Sequence, residues 1–194
     1  MRVNNEDIKN QIKKITKSIF EDILQIRRWL HQHPELSFKE KKTSEYICHI
    51  LKAHNIEFIP NIGGYGVVAM ISGDRLNGQV IGLRADMDAL PIQEKNDIEY
   101  KSINDGVMHA CGHDVHTSIL LGTAIVLNKM KEHLTGTVKF IFQPAEEQLP
   151  GGASLMIKDG VLQKPKVDKI LALHVFPEFE VGNVGFRSGQ YMAA

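Results

Sequence analysis

The 194-residue chain has only two cysteines, Cys48 and Cys111. That is too few for a disulfide framework. No apolar run approaches the roughly 20 residues needed to span a bilayer. The N-terminal stretch MRVNNEDIKNQIKK is polar and lacks the apolar h-region of a secretory signal. Charge of one sign is missing as well: 23 Lys and Arg offset 23 Asp and Glu. This balance provides no basic footprint for nucleic acid or an anionic membrane. Low-complexity linkers and internal repeats are also missing. The expectation is a cytoplasmic protein with neither a nucleic-acid nor a membrane partner. Its hydrophobic content of 43% argues against disorder. The length suits one domain, or one domain and the start of another.

Ile8, Ile12, Ile15, Ile19, Ile23, Ile26 and Leu30 recur every three or four residues. This spacing predicts one face of a long helix that ends before Pro34. Ser37 and Glu40 have capping-box spacing and are expected to open a second helix through Tyr46, Ile47, Ile50 and Leu51. Short strands follow at 56–59, 67–71 and 80–83, punctuated by Gly63-Gly64 and an Asn77-Gly78 turn. His113 to Met130 reads as a helix, 138–142 as a buried strand and 152–158 as a short helix. KILALHV (169–175) reads as another buried strand, and 181–186 as a last extended stretch. Alternating strands and helices predict an α/β layered fold with a mixed sheet.

The polar clusters share a position. Asp86 and Asp88 follow VIGLRA, Glu146 and Glu147 follow VKFIFQPA, and His174 follows KILAL. Each lies at or just past the C-terminal end of a predicted strand, the edge where open α/β sheets bind ligands. HACGHDVH (109–116) adds Cys111 and His113 just before a helix. Thiolate and imidazole suit zinc and related ions, and the helix N-terminus is expected to favour the thiolate. The plainer alternative for Cys111 is a small buried hydrophobe. Glu146 and Glu147 fit either a solvated acidic pair or a metal ligand beside a general base. His174 fits either a core histidine or a ligand. Asp86 and Asp88 suit ligation, support of a ligand histidine, or a turn cap. Cys48 and the remaining histidines read as packing, capping or solvated residues. That includes His31 and His33, while His109 and His116 flank the candidate motif, where a role in supporting its ligands is open.

LHQHPELSFKE, GLRADMDALPIQE, MHACGHDVHTSILLG, FIFQPAEE, GGASLMIKDGVL, ALHV and SGQYMAA occur in this order along the chain. Together they resemble the two-metal amidohydrolases of the aminoacylase, hippurate hydrolase and carboxypeptidase G type. The nearest branch is that of hippurate hydrolases, N-acetyldiaminopimelate deacetylases and indoleacetyl-amino acid hydrolases. The resemblance implies a three-layer α/β/α catalytic domain of the zinc-exopeptidase type, interrupted by a smaller lid that often mediates homodimerisation. It implies Cys111, His113, Glu147 and His174 as ligands of two divalent ions (zinc, manganese, cobalt or nickel), with Glu146 as general base and acid. Asp86, Asp88 and Asp114 are expected to support the ligands. The implied substrate is a small N-acyl amino acid.

Chains of that family are longer. The resemblance therefore implies that residues 1–187 correspond to the N-terminal part of the catalytic domain and 188–194 to the start of the lid. A further histidine ligand has no counterpart here, so retention of a single ion is one expectation. The competing readings are an inactive metal-binding fragment, a dipeptidase or carboxypeptidase, and a structural or interaction role.

Overall fold

The computed structural model describes residues 4–73 and 78–186. Asn77 of the expected turn and the segment 188–194 lie outside these residues. Helix α1 spans Asn5–Gln32, its start capped by the Asn4 side chain, which accepts the Glu6 N–H at 3.2 Å. Helix α2 spans Lys41–Ala53. Strands β1 (Glu57–Ile62), β2 (Gly66–Ser72) and β3 (Val80–Asp86) follow. Helix α3 covers His113–Lys129, strand β4 Thr137–Gln143, helix α4 Gly152–Lys158 and strand β5 Lys169–Ala172. Among the described residues no helix is long and apolar enough to cross a membrane.

The five strands form one mixed sheet in the order β1-β2-β4-β3-β5. The β1–β2 hairpin and the β2–β4 pair are antiparallel; β4–β3 and β3–β5 are parallel. Alternation along each strand divides the core into two sets. Val67, Ala69, Ile71, Phe140 and Phe142 face α1, α2 and α3, together with Ile19, Ile47, Leu121 and Ile125. Val68 and Ile141 face the other way, onto Met156 of α4 and Val161. Helix α3 is enclosed on most of its surface, and Gly122 leaves room for α1, since a Cβ there would meet Ile23 at 3.2 Å.

Three expectations need correction. Ser37 and Glu40 form no capping box: Glu40 is the N-cap of α2 but makes no side-chain cap bond, and both side chains reach into the site described below. Strand β5 is shorter than 169–175 and is not buried. It pairs with β3 alone at the sheet edge, so Ile170 and Leu171 are exposed, as is Leu173 beyond it. Residues 181–186 join no strand.

Candidate metal centre

The parallel register aligns the three strand ends. Asp86 pairs with Gln143, and Arg84 pairs with both Ile141 and Ala172. Asp86 and Asp88, Glu146 and Glu147, and His174 therefore leave the sheet at one edge. Helix α3 begins against that edge. Its N-cap, Gly112, has φ +82°, and a Cβ there would collide with the Val175 side chain. Glycine thus turns the chain between Cys111 and His113 and lets the His174 segment close over it.

His113 is buried at the centre. Its Nδ1–H donates to Asp88 Oδ1 at 3.2 Å, while Nε2 has no partner among the described residues. That nitrogen lies 3.7 Å from Glu147 Oε1 and 3.7 Å from Asp86 Oδ2. Burial pulls the His113 pKa down, but the Asp88 hydrogen bond and the field of Asp86, Asp88 and Glu147 outweigh it and raise it. The same field attracts a cation. His174 is arranged alike: Nδ1–H donates to the Val175 carbonyl at 2.7 Å, and Nε2 faces Cys111 Sγ at 3.4 Å. Donor atoms of Cys111, His113 and His174 lie within 4.8 Å of one another, as do those of His113, Glu146 and Glu147. The two groups share His113. Two imidazoles with anchored Nδ1, one with its Nε2 unpartnered and one with its Nε2 on the Cys111 thiol, together with carboxylates, suit a divalent cation. Glu146, Glu147 and His174 are exposed, which leaves an approach from solvent.

The helix end does not favour the thiolate in the way the local pattern suggests. Burial, then the carboxylates of Glu147, Asp86 and Glu146, push the Cys111 thiol up to about 12. Nearby negative charge outweighs the partial charge of the helix terminus. A bound cation reverses that balance, because it stabilises a coordinating thiolate outright.

Asp86, His113 and His116 form a third compact group, but Asp86 and His116 are already engaged, with each other and with Arg84 and Val175. The Val175 N–H donates to His116 Nε2 at 2.9 Å, so Nδ1 carries the proton and donates to Asp86 Oδ1 at 2.6 Å. Arg84 holds the other Asp86 oxygen at 2.7 Å. Burial favours a raised Asp86 pKa, yet His116 and Arg84 bring it down to about 2. Asp88 is a hub: besides His113 it accepts the Ser37 hydroxyl at 2.6 Å and the Glu147 N–H at 3.0 Å. Asp114 hydrogen-bonds none of these groups. It binds His31 at 2.7 Å and Arg27 at 3.0 Å, and so ties the start of α3 to α1.

His31, expected to cap or pack, is a buried link between Asp114 and Glu94, the latter at 3.1 Å. Ser37, which donates to Asp88, escapes a reading from sequence because its spacing from Glu40 mimics a helix cap. The signal present in the sequence was LHQHPELSFKE itself, polar residues clustered beyond the end of a helix.

Residues 82–191 match the family described as peptidase family M20/M25/M40. An N-acyl-L-amino acid amidohydrolase of Geobacillus stearothermophilus is 42% identical over 186 residues, 96% of this chain and 50% of that protein. An N-acetylcysteine deacetylase of Bacillus subtilis is 45% identical over 180 residues, 92% of this chain and 46% of that protein. A Bacillus subtilis crystal structure described as a dinuclear metal binding peptidase from the M20 family superposes with a TM-score of 0.83. It is 44% identical, with 88% of this chain and 47% of that one covered. The chain spans about half the length of the curated relatives it matches.

Proposed function

The chain belongs to peptidase family M20/M25/M40, and from that premise we propose that it hydrolyses the amide bond of N-acyl amino acids with two divalent ions. One observation carries the reading: His113, whose buried Nε2 has no partner among the described residues, belongs both to a donor group with Cys111 and His174 and to one with Glu146 and Glu147. Cys111, His113, Glu147 and His174 would hold the ions. Zinc, manganese, cobalt and nickel all suit this mixed donor set, and a reducing, cytoplasmic setting keeps Cys111 available. The relatives named for N-acyl-L-amino acids and N-acetylcysteine support the substrate class.

When bound, the ions supply Lewis acidity toward the amide carbonyl and toward a water. The chain's residues do the rest. Asp88 holds His113 with its proton on Nδ1 and its Nε2 free. Its second oxygen fixes the Glu147 backbone. Glu146, exposed beside His113, takes a proton from the attacking water and returns it to the leaving nitrogen. Water adds to the carbonyl carbon, the C–N bond breaks, and a carboxylate and a free amine leave.

The test is hydrolysis of N-acetyl and N-benzoyl amino acids by the metal-loaded protein and by Glu146→Gln. The variant should lose about 10²–10⁴-fold in turnover while retaining its metal. Equal rates in the two proteins reject the role of Glu146. No hydrolysis by a protein that binds metal favours a metal-binding fragment.

A further inference from the structure

Glu40 is a buried carboxyl beside the site to which the proposed reaction gives no role. Its side chain is fully buried at the start of α2 and caps nothing there. It reaches instead across 105 residues of sequence, where Oε1 accepts the Ala145 N–H at 2.6 Å. Oε2 is buried with no partner among the described residues.

Ala145 is an unusual recipient. It has φ +48°, a left-handed conformation that L side chains rarely adopt. It is completely buried, and it immediately precedes Glu146 and Glu147. Its carbonyl accepts the Gly152 N–H at 2.8 Å, and Glu147 N–H is held by Asp88. The turn that aims both glutamates is thus fastened from two sides, by Asp88 after it and by Glu40 at its pivot. Loss of the Glu40 acceptor leaves the Ala145 N–H buried and unpaired, and an extended backbone there would swing both glutamates out of the centre.

We propose that Glu40 is a positioning residue, whose carboxyl holds the left-handed turn at Ala145 through its backbone N–H and so directs Glu146 and Glu147 to the metal centre. The inference rests on Glu146 as base and Glu147 as ligand. Burial, aided by Asp88, raises the Glu40 pKa to about 7. A neutral carboxylic acid keeps its carbonyl oxygen as the acceptor, and glutamine reproduces that acceptor in the same place.

The experiment compares Glu40→Gln, Glu40→Asp and Glu40→Leu in the purified protein, with Co²⁺ alone as the metal probe. Asp keeps the carboxyl but retracts the acceptor by one methylene; Leu removes it. Both should weaken Co²⁺ binding by about 10–100-fold, as loss of support behind a ligand does. Both should also lower kcat with little change in KM, and make the Ala145 amide exchange hydrogen faster by about tenfold or more, the mark of a loosened local bond. Gln should stay within about threefold of wild type on all three, because the acceptor survives. The cobalt charge-transfer band of the Cys111 thiolate should persist in every variant that folds.

Wild-type Ala145 exchange in Glu40→Asp overturns the proposal even if Glu40→Leu fails to fold. Glu40→Gln as impaired as Glu40→Leu overturns it too. If the wild-type protein takes up no Co²⁺, the metal reading fails, while the exchange rate of Ala145 still decides the role of Glu40.

Discussion

Asp88→Asn asks one amide to replace a carboxylate that meets donors on both oxygens. Oδ1 takes the His113 Nδ1–H at 3.2 Å; Oδ2 takes the Ser37 hydroxyl at 2.6 Å and the Glu147 N–H at 3.0 Å. Burial alone would favour the neutral acid, but these hydrogen bonds hold the Asp88 pKa below its ordinary value, so the carboxylate is the resting form. Asparagine offers a single acceptor. With its oxygen toward Ser37 and Glu147, its NH₂ group faces His113, which then accepts at Nδ1 and carries its proton on Nε2. The lone pair needed for a metal is gone. With the amide turned over, NH₂ confronts the Glu147 N–H. The Ser37 hydroxyl can rotate away, but the backbone donor cannot.

Either orientation damages one proposed ligand. The expected loss in metal affinity is about 10–100-fold, or about 1.4–2.7 kcal/mol. Calorimetric titration of Zn²⁺ into chelator-treated wild-type and variant protein measures it, and the ¹⁵N shifts of the His113 ring report which nitrogen is protonated. A folded Asp88→Asn variant that binds Zn²⁺ within about twofold of wild type, where loss of ligand support should cost at least tenfold, refutes the argument from donor count.

Lys139 lies in β4 with 2% exposure and donates to the carbonyls of Val161, Gln163 and Pro165 at 2.8, 2.9 and 3.0 Å. Lys139→Met keeps the stem but strands the buried Val161 carbonyl, while the other two regain water. A loss of about 2 kcal/mol is expected in urea unfolding, and no loss would reject the ammonium as a tie for that loop. Glu40, raised from 4.5 to about 7, holds a proton in the native chain that the unfolded chain has released across this window. Stability should therefore fall as pH rises from about 4.5 to 7, by at most about 3 kcal/mol from this group. In Glu40→Gln that part of the slope should vanish; an unchanged slope between the two proteins argues against the buried acid. Removal of metal with a chelator should lower the melting temperature. Free Zn²⁺ at 100 times its Kd should restore about 2.7 kcal/mol, and a melting curve indifferent to Zn²⁺ argues against the centre.

Element type was largely legible because it is local. The three- and four-residue spacing from Ile8 to Leu30 defines α1 before any partner is known, and the unbroken apolar run after Lys139 marks β4. The chemistry of Cys111-x-His113 and of the Glu146–Glu147 pair is equally local, a matter of which atoms stand side by side. The strand order was not legible. Nothing near β4 says that it separates β2 from β3, since pairing depends on distant segments of chain. Lys139 itself gives no sign that it feeds three carbonyls more than 20 residues away. Ser37 and Glu40 misled because the same short polar side chains that cap helices also serve remote backbone groups, and only the packed fold selects between the two.

Local spacing by itself determined the helices and most strands, because backbone sterics act over a few residues, and it marked Cys111, His113, Glu146, Glu147 and His174 as candidate donors. The tertiary structure alone decided that β5 is an exposed edge. It also decided that His113 keeps Nε2 unpartnered among the described residues, and that Asp88 and Glu40 grip the turn carrying Glu146 and Glu147. Those features depend on hydrogen-bond partners that are remote in sequence, and on burial that exists only once the sheet, α2 and α3 have closed around them.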